Sequence, residues 1–395
     1  MLRQAADEMD EPSRPETLLE LLEGLPDPRL DHNKRHRLID LLAIAILGAL
    51  CNVDNYVELE RFARAKERFL RTFLQLPHGI PSHDTFGRLF AALDTKAFTE
   101  LLTRWLGAWS RELRGVHVAI DGKAIRAALD RSAHASPMLL LSAFAVESGL
   151  VLGQEQTDPD SNEIEAVPRL LEQLKLNGAL VTLDAMHCQR ATARLLHERG
   201  AHYVIAAKGN QPELRKALDD HFRDKLHDRS PERFLETIDK DHGRIETRRY
   251  WLSTALDALE LRDLGLGGSA WPGVTAVGVV ERIRQSARAG EPSHERVLYL
   301  AALPQPDVRA FAAAVRAHWG IENKLHWVLD LAFSEDRSTA RSKNATRNYA
   351  LVRKLALNLI RLERGIKVGI RCKRKMCGWD HDYLLQILKA APRAA

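Results

Sequence analysis

The stretch that most constrains this 395-residue chain runs from Gly115 to Asn210, where β-type and helical runs follow one another in a definite order. VHVAID is a short apolar run ending in Asp121-Gly122. MLLLSAFAVES and LVLGQEQT come next, joined by Ser148-Gly149, and read as an antiparallel meander. NEIEAVPRLLEQL has helical spacing, Gly178 breaks it, and ALVTLDAM is a buried strand closing at Asp184. QRATARLLHER is a second helix and AHYVIAAKGN a fifth strand. Three antiparallel strands followed by two crossovers predict a mixed α/β sheet with helices on both faces.

The flanks have a different texture. Residues 17–110 read as helix, with apolar residues three and four apart in IDLLAIAILGALC and VELERFARAKERFLRTFL, and with Ser82 as an N-cap. A compact helical domain follows from this pattern, with room for a helix-turn-helix element. Beyond the core, residues 211–305 hold one charged helix, QPELRKALDDHFRDKL, and three β-like runs, RIETRRYWLST, VTAVGVVERIRQ and ERVLYLAAL. These read as a β-rich insertion in the core. Helix resumes at Asp307 and again in NATRNYALVRKLALNLIRLER. The expected organisation is an acidic segment (1–24), a helical domain (25–112), an α/β core (113–336) interrupted at about 211–305, and a basic helical tail (337–395).

Composition narrows the class. A hydrophobic content of 45% with 28% charged residues excludes wholesale disorder, and four cysteines cannot staple a chain this long. The longest near-apolar stretch, Leu41 to Cys51, is about half of the ~20 residues a membrane span needs, and no apolar signal core opens the chain. A soluble protein of a reducing, cytoplasmic compartment, with no membrane partner, is expected. The net charge of +5 conceals an asymmetry: residues 1–30 net −5, whereas residues 337–375 hold thirteen Lys or Arg against the single acid Glu363. A +12 block suits a polyphosphate surface such as DNA; the plainer alternative is a solvated basic helix. Cys372 and Cys377, with four residues between them, read as free thiols because no second ligand pair follows, and Cys188 as a small packed residue.

Three carboxylates occupy places that the strand order would gather. Asp121 closes the first strand and Asp184 the fourth, and those strands are neighbours in such a sheet. Glu322 lies on the helix after the insertion. Read singly, Asp121-Gly122 is a turn pair and Glu322 a solvated helix residue. Together they signal a divalent cation, because adjacent carboxylates repel unless a cation lies between them. Asp330 is the second candidate for the third ligand. Lys123 and Arg126 could grip phosphate, and Lys208-Gly209-Asn210-Gln211 ends the fifth strand with a cation and two amides. His318, Glu322 and His326 are spaced by four and share a helix face, an arrangement that is not the H-E-x-x-H zinc signature.

These residues are similar to those of the H-repeat-associated family of bacterial insertion-sequence transposases, on a strand order that resembles the ribonuclease-H-like fold. The matching stretches include DPRLDHNKRH, GIPSHDTFGRLF, AIDGKAIR, VTLDAMHCQR, YVIAAKGNQPEL, DHGRIETRR, HWGIENKLHWVLDLAFSEDRS and NYALVRKLALNLIR, spread from Leu25 to Leu388. The resemblance implies an Asp121–Asp184–Glu322 triad holding two Mg²⁺ ions, replaceable by Mn²⁺, and DNA cleavage and strand transfer at insertion-sequence ends. It implies transposon ends and target DNA as partners, a homodimer in the synaptic complex, and nucleoid association when bound. Candidate DNA contacts are Lys123, Arg126, Lys208, Asn210, Arg244, Arg248, Arg316, His318, Lys324, Arg337, Arg341, Arg347, Lys373, Arg374 and Lys375. The chain departs from the pattern of many related cut-and-paste transposases, which carry tyrosine, arginine and lysine where Val315, His318 and Leu329 stand here. Two other readings are a nuclease on the same core and a catalytically silent DNA-binding relic.

Overall fold

The computed structural model describes residues 18–107, 113–125, 138–157, 163–241, 244–286 and 291–388, apart from 259, 339 and 341. Helices α1 (Leu18–Glu23), α2 (Leu38–Leu50), α3 (Tyr56–Ala65), α4 (Glu67–Leu70), α5 (His83–Ala92) and α6 (Thr95–Gly107) come first. α2, LIDLLAIAILGAL, is apolar almost all round and nearly every residue is buried, so it forms the centre of a helical core. The side chains of Asn55 and Ser82 accept from Glu58 N and Thr85 N and cap α3 and α5, the second as the sequence predicts.

The predicted alternation then appears as β1 (His117–Ile125), β2 (Met138–Ala145), β3 (Leu150–Gln156), α7 (Glu163–Glu172), β4 (Leu180–Leu183), α8 (Arg190–Glu198) and β5 (His202–Ala207). β1 is antiparallel to β2 and parallel to β4, and β4 is parallel to β5. The expected adjacency of the first and fourth strands is therefore present. One local expectation fails: β1 does not close at Asp121 but runs on to Ile125. β2 runs alongside as far as the Ile125↔Met138 pair and gives the backbone beyond Asp121 a ladder to continue in.

The region after β5 extends the same sheet. α9 (Pro212–Phe222) is followed by β6 (Phe234–Asp241), β7 (Arg244–Ser253), the two-residue strands β8 (Leu266–Gly267) and β9 (Trp271–Pro272), β10 (Ala276–Ser286) and β11 (Ser293–Ala302). The result is one nine-stranded sheet ordered β3-β2-β1-β4-β5-β11-β10-β7-β6, with β11 antiparallel to β5. β6, FLETIDKD, escapes sequence patterning because it is an edge strand whose charges face solvent and pair across to β7, as Glu236 does with Arg249. It forms a hairpin with β7, closed by the Asp241↔Arg244 pair, at the DHGRIETRR segment.

α10 (Val308–His318) packs on β1, β4 and β7, continues into a π turn at Glu322–His326, and resumes as α11 (Trp327–Phe333). α12 (Lys343–Leu362), α13 (Ile370–Trp379) and α14 (His381–Leu388) complete the chain as described. One hydrophobic core joins α12–α14 to the N-terminal helices α1–α3, α5 and α6 and to Ala119, Phe144 and Val151 of the sheet. A second core packs α7 and α8 on the opposite face. The basic C-terminal region is thus no free tail: Arg353, Lys354, Lys373 and Arg374 are interior. Among the described residues no helix is long and apolar enough to cross a membrane.

Candidate metal centre

Parallel pairing sets the site. β4 ends at Leu183 opposite Ile120, so the next residues in register, Asp121 and Asp184, are neighbours across the two strands. Asp121 lies on the face of β1 shared by Ala119, toward the helical core, whereas Val118 and Ile120 face the α7–α8 layer. α10 seats on this face and carries the chain into the π turn, a rare conformation that recurs at functional sites. Glu322 opens that turn and His326 closes it.

Ligand atoms of Asp121, Glu322 and His326 all lie within 4.8 Å of one another. His326 Nδ1 is 3.0 Å from Glu322 Oε2 and 3.7 Å from Asp121 Oδ2. Asp121 Oδ1 accepts from Gly122 N at 2.9 Å. Burial raises the Asp121 pKa to about 6; His326 opposes this, and the negative charges of Asp184 and then Glu322 add to it. The hydrogen bond from His326 holds Glu322 below the usual carboxylate range. Asp184 stands beside this trio, with His187 Nε2 3.6 Å from its Oδ1, an oxygen that is buried without a hydrogen-bond partner. The side chains of Glu322 and Asp184 are 53% and 45% exposed, so the centre opens to solvent. A concentration of carboxylates with open faces and an adjacent imidazole suits a divalent cation.

Residues 19–106 match the family described as DDE_Tnp_1-associated, and residues 112–359 match the Transposase DDE domain. The chain belongs to the DDE transposase family. It is 33% identical over 373 residues to a putative transposase YncI of Escherichia coli O157:H7, covering 94% of each chain. It is 32% identical over 373 residues to the H repeat-associated putative transposase YhhI of Escherichia coli strain K12, covering 94% of this chain and 97% of that one. A solved piggyBac transposase synaptic complex with hairpin DNA superposes with a TM-score of 0.42 at 11% identity, over 93% of this chain and 76% of that one, too distant to add to the assignment.

The transposase places its expected DNA contacts in three kinds of surroundings. Lys208 and Asn210 lie at the sheet edge that carries Asp121 and Asp184: Lys208 is exposed, and Asn210 Nδ2 donates to Ala185 O at 2.7 Å, fixing the turn after Asp184. Lys208 opens on a groove of about 560 Å³ whose lining includes Arg215, His294 and Arg296 but also Asp219, Glu281 and Glu295. Arg244, Arg316, Lys324, Arg337 and Lys375 are also exposed, although Arg316 pairs with Asp239 at 3.2 Å and Lys324 Nζ donates to Val146 O at 3.3 Å. Arg347 is half-buried.

The others are turned inward or engaged. Lys123 Nζ contacts Asp330 and reaches Glu335 at 2.9 Å, so it neutralises acids rather than standing free for phosphate; the same contact engages Asp330, the alternative third ligand. Arg248 is buried between Asp239 and Glu246. His318 Nδ1 is 3.0 Å from Thr182 Oγ1, and burial lowers its pKa to about 4, leaving it neutral at ordinary pH. Lys373 is buried against Glu363, and Arg374 is 0% exposed, donating to Ala49 O at 2.8 Å. Arg126 and Arg341 fall outside the described residues. His326, which the spacing placed on the Glu322 face without a role, is the residue sequence reasoning undervalued. Its four-residue spacing from Glu322 was the available signal.

Proposed function

We propose that this transposase cuts and joins DNA at insertion-sequence ends on a ribonuclease-H-like core, with Asp121, Asp184 and Glu322 as its catalytic carboxylates. The observation that carries the reading is the Ile120↔Leu183 parallel register, which sets Asp121 beside Asp184, with Glu322 delivered to the same edge by the α10 extension. The donor set fits two Mg²⁺ ions, with Mn²⁺ as a substitute. Held there, they would supply Lewis-acid activation of a water or 3′-hydroxyl and stabilisation of the leaving phosphate oxygen.

The chain's own residues do the remainder. Asp121 stands between the other two carboxylates and is shared between them. His326 orients the Glu322 carboxylate through its hydrogen bond. The open faces of Asp184 and Glu322 admit a backbone phosphate, and Lys208 gives that edge a cation. β10 and β11 continue past the Leu298↔Ala207 pair, where β5 ends, and so overhang the catalytic edge. With Arg244 at the start of β7, they form an arm suited to lie along bound DNA. Two transposon ends acted on together call for two copies of the chain.

The test uses purified full-length protein with duplexes carrying the element's own ends. Asp121→Asn and Asp184→Asn should each abolish Mg²⁺-dependent nicking while DNA retention on gels persists. Nicking at the wild-type rate by either variant removes the triad. Cleavage without joining to a target plasmid points to a nuclease instead.

A further inference from the structure

His326 is one of the most enclosed polar side chains at the site, 4% exposed, and it lies against the carboxylates of Glu322 and Asp121. Its Nδ1 faces both of them, at 3.0 Å from Glu322 and 3.7 Å from Asp121. Its Nε2 is buried with no hydrogen-bond partner, so the ring is not held in place by an acceptor on its far side. Desolvating an imidazole nitrogen without a partner is unfavourable, and such an arrangement calls for compensation at the other nitrogen. A hydrogen bond to Glu322 supplies part of it. A cation reached together by Asp121, Glu322 and Nδ1 would take the place of that bond, with the ring proton on Nε2, and all three donor atoms already converge within 4.8 Å.

We propose that His326 Nδ1 is a protein ligand of the ion shared by Asp121 and Glu322, making that half of the centre a mixed nitrogen–oxygen site. The proposal rests on the metal-centre reading above and refines it. Its chemical consequence is selectivity. Mg²⁺ takes oxygen ligands and gives up water reluctantly, whereas first-row transition ions accept imidazole readily. The Asp121–Glu322–His326 position therefore prefers Mn²⁺ to Mg²⁺, while the Asp121–Asp184 position, whose carboxylates supply oxygen only, carries no such preference. His187, 3.6 Å from Asp184, is the neighbouring imidazole that a test must distinguish.

Mn²⁺ is the probe. Full-length protein titrated with Mn²⁺ in the absence of DNA is examined by electron spin-echo envelope modulation, with and without ¹⁵N-histidine labelling. Bound Mn²⁺ should show histidine nitrogen coupling that changes with the label, and His326→Gln should remove it while weakening Mn²⁺ binding by about tenfold or more. Mg²⁺ competition against Mn²⁺ should become correspondingly easier in His326→Gln. Wild-type protein with bound Mn²⁺ and no nitrogen coupling overturns the ligand assignment and leaves the triad standing. Coupling that persists in His326→Gln and disappears in His187→Gln overturns it as well. Absence of stoichiometric Mn²⁺, or binding undiminished in Asp121→Asn, overturns the metal centre itself. If a variant folds poorly, absence of nitrogen coupling in the labelled wild type still overturns the assignment.

Discussion

Lys123 Nζ lies 2.9 Å from Glu335 Oε2, joining the strand that carries Asp121 to the turn just beyond the helix that follows Glu322. Both side chains are shielded from solvent, and Asp330 converges on the same ammonium. The pair therefore ties together the two segments whose separation sets the Asp121–Glu322 geometry. Glu335→Gln leaves a buried ammonium short of compensation and should lower the unfolding free energy by about 3–5 kcal/mol. Urea denaturation reads this directly; a loss below about 1 kcal/mol would mean that Asp330 alone satisfies Lys123.

A second pair of contacts fixes the same geometry from the other side of α10. Gly278 on β10 approaches Phe311 of α10 so closely that an added Cβ would lie 2.4 Å from its ring. Gly278→Ala should cost about 1–3 kcal/mol and push α10 off the sheet. Since α10 leads into Glu322, Mg²⁺-dependent nicking should fall more than DNA binding does. Wild-type melting temperature and nicking in this variant would show that the helix can move without consequence for the site.

Lys354 is buried at the sheet–helix boundary, where its Nζ donates to Ser142 Oγ at 2.8 Å and to Gln154 Oε1 at 2.5 Å. Burial lowers its pKa to about 8, against the opposing attraction of Glu335. A lysine depressed in the folded state is protonated more readily in the unfolded chain, so stability should rise as pH climbs from about 8 toward the unfolded value near 10.5. Below about 8 both states are protonated and the dependence vanishes. Chemical denaturation across that window should show the rise in the wild type and not in Lys354→Met; an equal rise in both assigns it to other groups.

Arg374 and Lys375 are adjacent in sequence and opposite in role. Arg374 stacks over Phe333 at 4.1 Å and bonds Ala49 O, Ala332 O and Asp54, whereas Lys375 is exposed. Arg374→Ala should destabilise the fold by about 3 kcal/mol or more, through unsatisfied carbonyls and lost packing. Lys375→Ala should leave melting unchanged and, if the residue meets a phosphate, reduce the slope of log affinity against log salt by about one. The reverse pattern would place the guanidinium at the surface.

The amino-acid pattern by itself determined the order of strands and helices from β1 to β5, the Ser82 cap, and the acids that the strand order gathers. These are legible because strand and helix periods repeat within a few residues, and because a short list of crossovers is compatible with that order. The end of β1 is not legible locally, because Asp121-Gly122 is a good turn pair and only β2, pairing from beyond it, makes it strand. β6 was hidden for a related reason: an edge strand with charged faces has no apolar alternation to read.

Tertiary structure alone decided which charges remain available. A run of thirteen bases looks like one surface, yet Arg374 finds its partners at Ala49, Asp54 and Ala332, and Lys354 finds its own on two strands about two hundred residues earlier. Burial of a charge depends on such distant partners, which charge counting along the chain does not see. His326 belongs with them: its spacing from Glu322 is local, but its position under Asp121 exists only once α10 has seated against β1 and β4.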